Sequence, residues 1–190
     1  METHQKQFES RKENPTYWHN KSHDLFVSAR TLWNAMQENR GLEVNCLAAY
    51  KMLLGMSFEL LIKAHCVGSG VKFADTHDLA ALARTANFPI SNDENGILKV
   101  LSEYIIWDGR YPVPKKAQHL ENHWKNQKKV LNDKEKLGSL TVLFSNDKLD
   151  FEYFLPIWRK YSDLFMERYN WAAEGDCDLI GLADYVPNQF

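Results

Sequence analysis

The sequence predicts an all-α fold, a single-domain bundle of four to five helices, and three observations carry that prediction. Apolar residues recur at helical spacing in several separate segments. Proline, glycine and asparagine, which stop helices, fall between those segments. The 190 residues, 44% hydrophobic and 13% aromatic, supply a core for one domain and would make a second cramped.

The first helix is expected from about Tyr17 to Asn39, with Trp18, Leu25, Phe26, Ala29, Leu32, Trp33 and Met36 on one face and Asn14-Pro15 as its start signal. Residues 43–67 are apolar nearly all round, which puts that helix at the centre of the bundle. Gly68 and Gly70 end it. A short third helix is expected to begin near His77, capped by Asp75 or Thr76 and closed by Asn87-Phe88-Pro89. Ser91 to Glu94 reads as a capping box, opening a fourth helix whose stripe is Ile97, Leu98, Leu101, Tyr104 and Ile105. Asp108-Gly109 stops it, and the prolines at 112 and 114 hold the following segment extended.

Residues 115–137 carry seven lysines against three carboxylates, and Ala117, Leu120, Trp124 and Leu131 give a thin apolar stripe, the pattern of a surface helix. A small β-hairpin insert is expected near 140–153, with Leu140–Phe144 and Leu149–Tyr153 flanking a turn at 145–148, although a helical reading of that stretch fits nearly as well. The last helix is expected from Pro156 to Trp171, with proline in its first turn. Residues 1–14 are expected to be a flexible lead-in, 15–174 the domain and 175–190 a loosely ordered tail.

Composition narrows the function. A net charge of −2 means that contact with nucleic acid has to come from a local basic patch. Cys46, Cys66 and Cys177 are odd in number and widely spaced, so neither a zinc knuckle nor a disulfide framework is expected. The N-terminus lacks the apolar core of a signal peptide, and the apolar stretch Met52–Val67 is interrupted by Glu59, Lys63 and His65, so the expectation is a cytoplasmic protein without a membrane span. No phosphate-cradling glycine loop, nucleophile elbow or dinucleotide fingerprint is present, and no cofactor is expected.

The apolar run from Tyr50 with its embedded Glu59-Leu-Leu-Ile-Lys63-Ala64, then His77-Asp78-Leu79, then Gly109-Arg110-Tyr111-Pro112, together resemble the HEPN family over about residues 17–114. That resemblance implies a helical bundle, commonly homodimeric. It also implies a metal-independent RNase or nucleotide-binding role, in toxin–antitoxin or phage-defence settings with an antitoxin-like partner. The family's catalytic signature is an arginine followed, after four to six residues, by a histidine. Here Arg110 is followed first by His119, eight residues intervening, so a degenerate, non-catalytic interaction module is the alternative.

The candidate site residues follow from their chemistry. Arg110, in a stiff proline-bearing segment, suits bidentate phosphate binding, and His119 is the nearest base in sequence. His77 is a candidate for proton transfer. Glu59 and Lys63, four residues apart on the most buried helix, suggest a desolvated pair facing Arg110; Asp78 and Tyr111 join them as substrate contacts. Trp124 among Lys125, Lys128 and Lys129 suggests a stacking platform on a phosphate track. The spacings His19/His23 and His119/His123 would put two imidazoles on one helix face, which makes a metalloprotein the third hypothesis, although no metal ligand is assigned.

Overall fold

The computed structural model describes residues 2–169, which form seven α-helices and one two-stranded hairpin. The helices are α1 (Glu2–Glu13), α2 (Pro15–Glu38), α3 (Glu43–Gly68), α4 (Leu79–Thr85), α5 (Asn92–Glu103), α6 (Ala117–Val130) and α7 (Phe151–Tyr169). The hairpin, β1 (Asn132–Leu137) and β2 (Leu140–Ser145), lies between α6 and α7. Trp171, Cys177 and the expected tail from 175 lie outside the described residues.

Local chemistry sets most boundaries. Asn14 accepts the Thr16 N–H at 2.9 Å, and Pro15 follows at the first helical position of α2. Ser91 and Glu94 form the expected capping box, each side chain accepting the other's backbone N–H. The Val71 N–H reaches back to the Cys66 carbonyl at 2.8 Å, with Gly70 at φ +65° supplying the left-handed turn that ends α3. Asn87, at φ 52°, does the same for α4.

Residues 2–13, expected as a flexible lead-in, form α1; Glu- and Lys-rich sequence favours a helix even without a buried face. Three expectations need correction. The cap of α4 is Asp78, not Asp75 or Thr76, and it accepts the Ala81 N–H at 2.9 Å. The hairpin turn falls at Gly138-Ser139, with Leu137 opposite Leu140, so β1 is the charged run Asn132–Leu137 and residues 151–153 are already the first turn of α7. Gly138 at φ +62° fits the first position of a two-residue hairpin turn. Finally, α7 starts at Phe151, which leaves Pro156 inside the helix, where it forgoes one backbone hydrogen bond.

Four long helices supply the core. α2 and α3 are antiparallel, as the contacts Ser22–Ser57 and Trp33–Tyr50 show. α7 lies along both: Phe151 meets Phe26, Trp158 stacks on Phe26, and the Trp158 indole N–H reaches Ser57 Oγ at 2.9 Å. Ser22 and Ser57 each donate to the other's backbone carbonyl, a cross-link that requires close approach of the two helices. The end of α5 and the turn after it pack on α3 at Gly55, where any side chain would collide with Ile105 and crowd the Leu101 carbonyl. The 29-residue stretch Arg40–Gly68 is, by length and composition alone, apolar enough to cross a bilayer, and half of its most apolar window is buried inside the bundle. In this fold that stretch includes the central helix, and its charged groups find partners inside the bundle.

After α5 the chain makes one π turn, Tyr104–Asp108, closed by the Gly109 N–H on the Tyr104 carbonyl at 3.0 Å. The chain then folds back, so that α6 runs antiparallel to α5. α6 is the surface helix expected: Leu120 and Trp124 of its thin stripe are exposed, and its buried side chain is His123. His123 packs against the rings of Tyr104 and Trp107, while Gln127 Nε2 lies 2.8 Å from both Tyr104 Oη and His123 Nε2. Lys51 donates to the same Tyr104 hydroxyl from α3.

Two core histidines give the fold a pH signature. His19 lies against Ser162 and stacks on Phe165, and His65 donates to the Tyr161 carbonyl at 3.0 Å. Burial pushes both down to about 4. The unfolded chain binds protons at these sites near pH 6.5 and the folded chain does not, so their contribution to stability is level above that value and falls as pH drops towards 4. The expected loss is up to roughly 3 kcal/mol per histidine, read as a falling urea midpoint. A midpoint unchanged between about pH 7 and 5 would contradict neutral burial of the two rings.

Candidate functional site

A cleft of about 620 Å³ opens between the start of α4, the π turn, the proline-bearing loop after it and the first turn of α6. His77, Trp107, Arg110, Tyr111, Lys115, Lys116 and His119 line it. Arg110 and both candidate imidazoles therefore share one water-accessible surface, although they are 33 and 9 residues apart in the chain.

Each imidazole is held from behind by a buried carboxylate. Nδ1 of His77 lies 2.9 Å from Glu59 Oε2, and Nδ1 of His119 lies 3.1 Å from Glu103 Oε2. An ionised carboxylate only accepts, so each contact places the proton on Nδ1 and leaves Nε2 as the second ring atom of each histidine. The carboxylates are nearly sealed, at 8% and 7% side-chain exposure, whereas the imidazoles are 45% and 32% exposed. This is the arrangement that orients an imidazole for proton transfer.

The two carboxylates differ in their other partners. Lys63 donates to Glu59 Oε1 at 2.7 Å and lies over the Phe73 ring, so Glu59 joins an ammonium and an imidazole. Glu103 instead accepts from the Trp107 indole N–H at 3.1 Å, and burial pushes its carboxyl up from the usual range. The expected approach of Glu59 to Arg110 does not occur, because Lys63 and His77 already occupy both carboxylate oxygens. Arg110 donates to the Ile106 carbonyl at 3.1 Å and lies over the Tyr111 ring, so it partly caps the preceding helix while fronting the cleft. Arg110, Lys115 and Lys116 make the rim cationic.

Several candidate residues stand apart. Asp78 caps α4 and is not among the residues lining the cleft. Lys63 and Glu59 act from behind the wall rather than as surface contacts. Trp124, Lys125, Lys128 and Lys129 lie further along α6 and do not line this cleft. The paired histidines do not converge: His19 meets Ser162, His119 meets Glu103, and His123 lies 3.7 Å from Asp108. Among the described residues no group of three His, Cys, Asp or Glu side chains is placed to hold a metal ion.

Glu103 and Trp107 are candidate-site positions that sequence reasoning missed. The available signal was an acid four residues before a tryptophan on one helix, which places the two on neighbouring turns. No protein-family model matches the sequence, and no curated protein or solved structure matches it.

The triad Lys63–Glu59–His77 sets a stability test. Glu59→Ala strands the Lys63 ammonium in the bundle, and unfolding free energy is expected to fall by roughly 3–5 kcal/mol. Adding Lys63→Met should restore most of that loss in urea denaturation. A change below about 1 kcal/mol in the single variant would mean that the ammonium is already solvated.

Proposed function

We propose that this chain is a HEPN-like, metal-independent endoribonuclease whose active site is the cleft of His77, His119 and Arg110. The observation that carries the reading is the pairing itself: two imidazoles, each fixed at Nδ1 by a buried carboxylate, line the same cleft as a guanidinium. Cleavage of an RNA strand needs one base, one acid and a cation. In the proposed reaction one neutral imidazole removes the 2′-hydroxyl proton, and the 2′-oxygen attacks the adjacent phosphorus. The other histidine, as imidazolium, protonates the departing 5′-oxygen. The products are a 2′,3′-cyclic phosphate and a 5′-hydroxyl end. Arg110 stabilises the charge that builds on the phosphoryl oxygens.

The family signature's shorter arginine–histidine spacing is not required on this reading. The loop at 109–116 folds α6 back along α5 and brings His119 to the cleft that Arg110 lines, and His77 adds a second imidazole from another part of the chain. The resemblance extends the proposal to a cytoplasmic toxin–antitoxin or phage-defence protein, homodimeric and controlled by an antitoxin-like partner. A second reading, RNA or nucleotide binding without cleavage, is favoured by the bond from Arg110 to Ile106, which engages part of the guanidinium in helix capping.

The test is incubation of purified protein with single-stranded RNA in EDTA, with product ends analysed. Cyclic-phosphate ends are expected, and His77→Ala and His119→Ala should each lower kcat by roughly 100-fold or more. Arg110→Ala should lower it by a similar factor while the melting temperature holds. Salt-sensitive RNA retention with no cleavage would select the binding reading, and no interaction with RNA would reject both.

A further inference from the structure

α6 carries a second recess, on the opposite flank from the cleft, and its chemistry is that of a nucleobase site. The recess is about 360 Å³ and is lined by Trp124, Gln127, Lys128, Leu131, Asn132 and Ser145. Trp124 is 65% exposed, unusual for a tryptophan in a chain that buries Trp33, Trp107 and Trp158. Its ring and Leu131 offer apolar surface; Gln127, Asn132 and Ser145 also line the recess, the amide nitrogens of Gln127 and Asn132 donating to the Tyr104 hydroxyl and the Lys128 carbonyl. Asn132 and Ser145 face each other across the hairpin, so β1 and β2 close the far side.

The helix geometry relates this recess to the cleft. At about 100° per residue, Trp124 and Lys128 fall on one flank of α6 and His119 on the other, with the exposed Lys125 and Lys129 on the crest between. Trp124 is displaced from His119 by about 7.5 Å along the axis. A polyanion leaving the cleft past Lys116 would meet these two ammonium groups before reaching the indole. The crest thus complements a phosphate chain, and the recess complements the flat, polar-edged ring that such a chain carries.

We infer that the Trp124 recess is a base-stacking subsite for single-stranded RNA, which holds a nucleotide of the same strand whose scissile bond lies in the His77–His119 cleft. This rests on the RNA reading above. Lys125 and Lys129 bind the connecting phosphates, and the subsite selects strands long enough to cross the helix.

The experiment is equilibrium binding of a 2′-O-methyl oligouridylate of about twelve nucleotides, which has no free 2′-hydroxyl to react. Trp124→Ala should weaken binding about tenfold and Trp124→Phe should retain most of it, because one stacked base contributes on the order of a factor of ten. Lys125→Gln with Lys129→Gln should flatten the dependence of affinity on salt. Trp124 is exposed, so the melting temperature of its variants should match wild type, and an altered one would place the ring in the fold rather than in a subsite. If wild type binds the oligonucleotide and Trp124→Ala binds it equally well, the subsite is wrong and the cleft reading stands. If wild type does not bind it at all, both fall.

Discussion

Helix α3 brings charge into the interior, and the rest of the structure is arranged around that constraint. Lys51, Glu59 and Lys63 are all nearly buried on a helix that is otherwise apolar on most sides. An unpaired charge there would cost several kcal/mol, so neighbouring elements must supply partners. Lys63 neutralises Glu59 within the helix, His77 takes the second carboxylate oxygen from the segment before α4, and Tyr104 receives Lys51 from the π turn. The same contacts that make the buried charges tolerable tie the loop before α4 and the end of α5 to the central helix, and those are two of the walls of the cleft.

The polar links between α2, α3 and α7 work by similar logic without net charge. Ser22, Ser57 and the Trp158 indole form a closed set of hydrogen bonds at the centre of the core. Such a set is satisfied only in one register of the three helices, so it selects among packings that apolar contacts alone would leave close in energy. His19 and His65 extend the polar strip towards the C-terminal end of α7.

Much of the fold was legible because it is local. The stripe of α5, the capping box at Ser91 and the all-round apolar character of α3 are each written within a dozen or so residues. The hairpin was misplaced because β1, Asn132–Leu137, is charged and lacks the β-branched content by which strands are recognised; Gly138-Ser139 was the better signal. The cleft was half legible. Arg110, His77, Tyr111 and His119 could be named by residue type and meet in the folded chain. Glu103 could not, because an acid beside a buried stripe looks like any solvated residue until a histidine 16 positions away folds against it. Asp78 stands outside the cleft for a related reason: a carboxylate at a helix start serves the nearest free backbone N–H first.

The π turn at Tyr104–Asp108 inserts one residue into what would otherwise be regular helix. That surplus shifts the phase of everything after it by about 100° relative to Glu103. Spacing between the carboxylate and the guanidinium is thus part of the site in the same sense as the side chains themselves. A homologue with a single residue fewer in this stretch would keep every reactive group, and a comparison by residue identity would pass it as equivalent, yet its arginine would leave a different face of the helix.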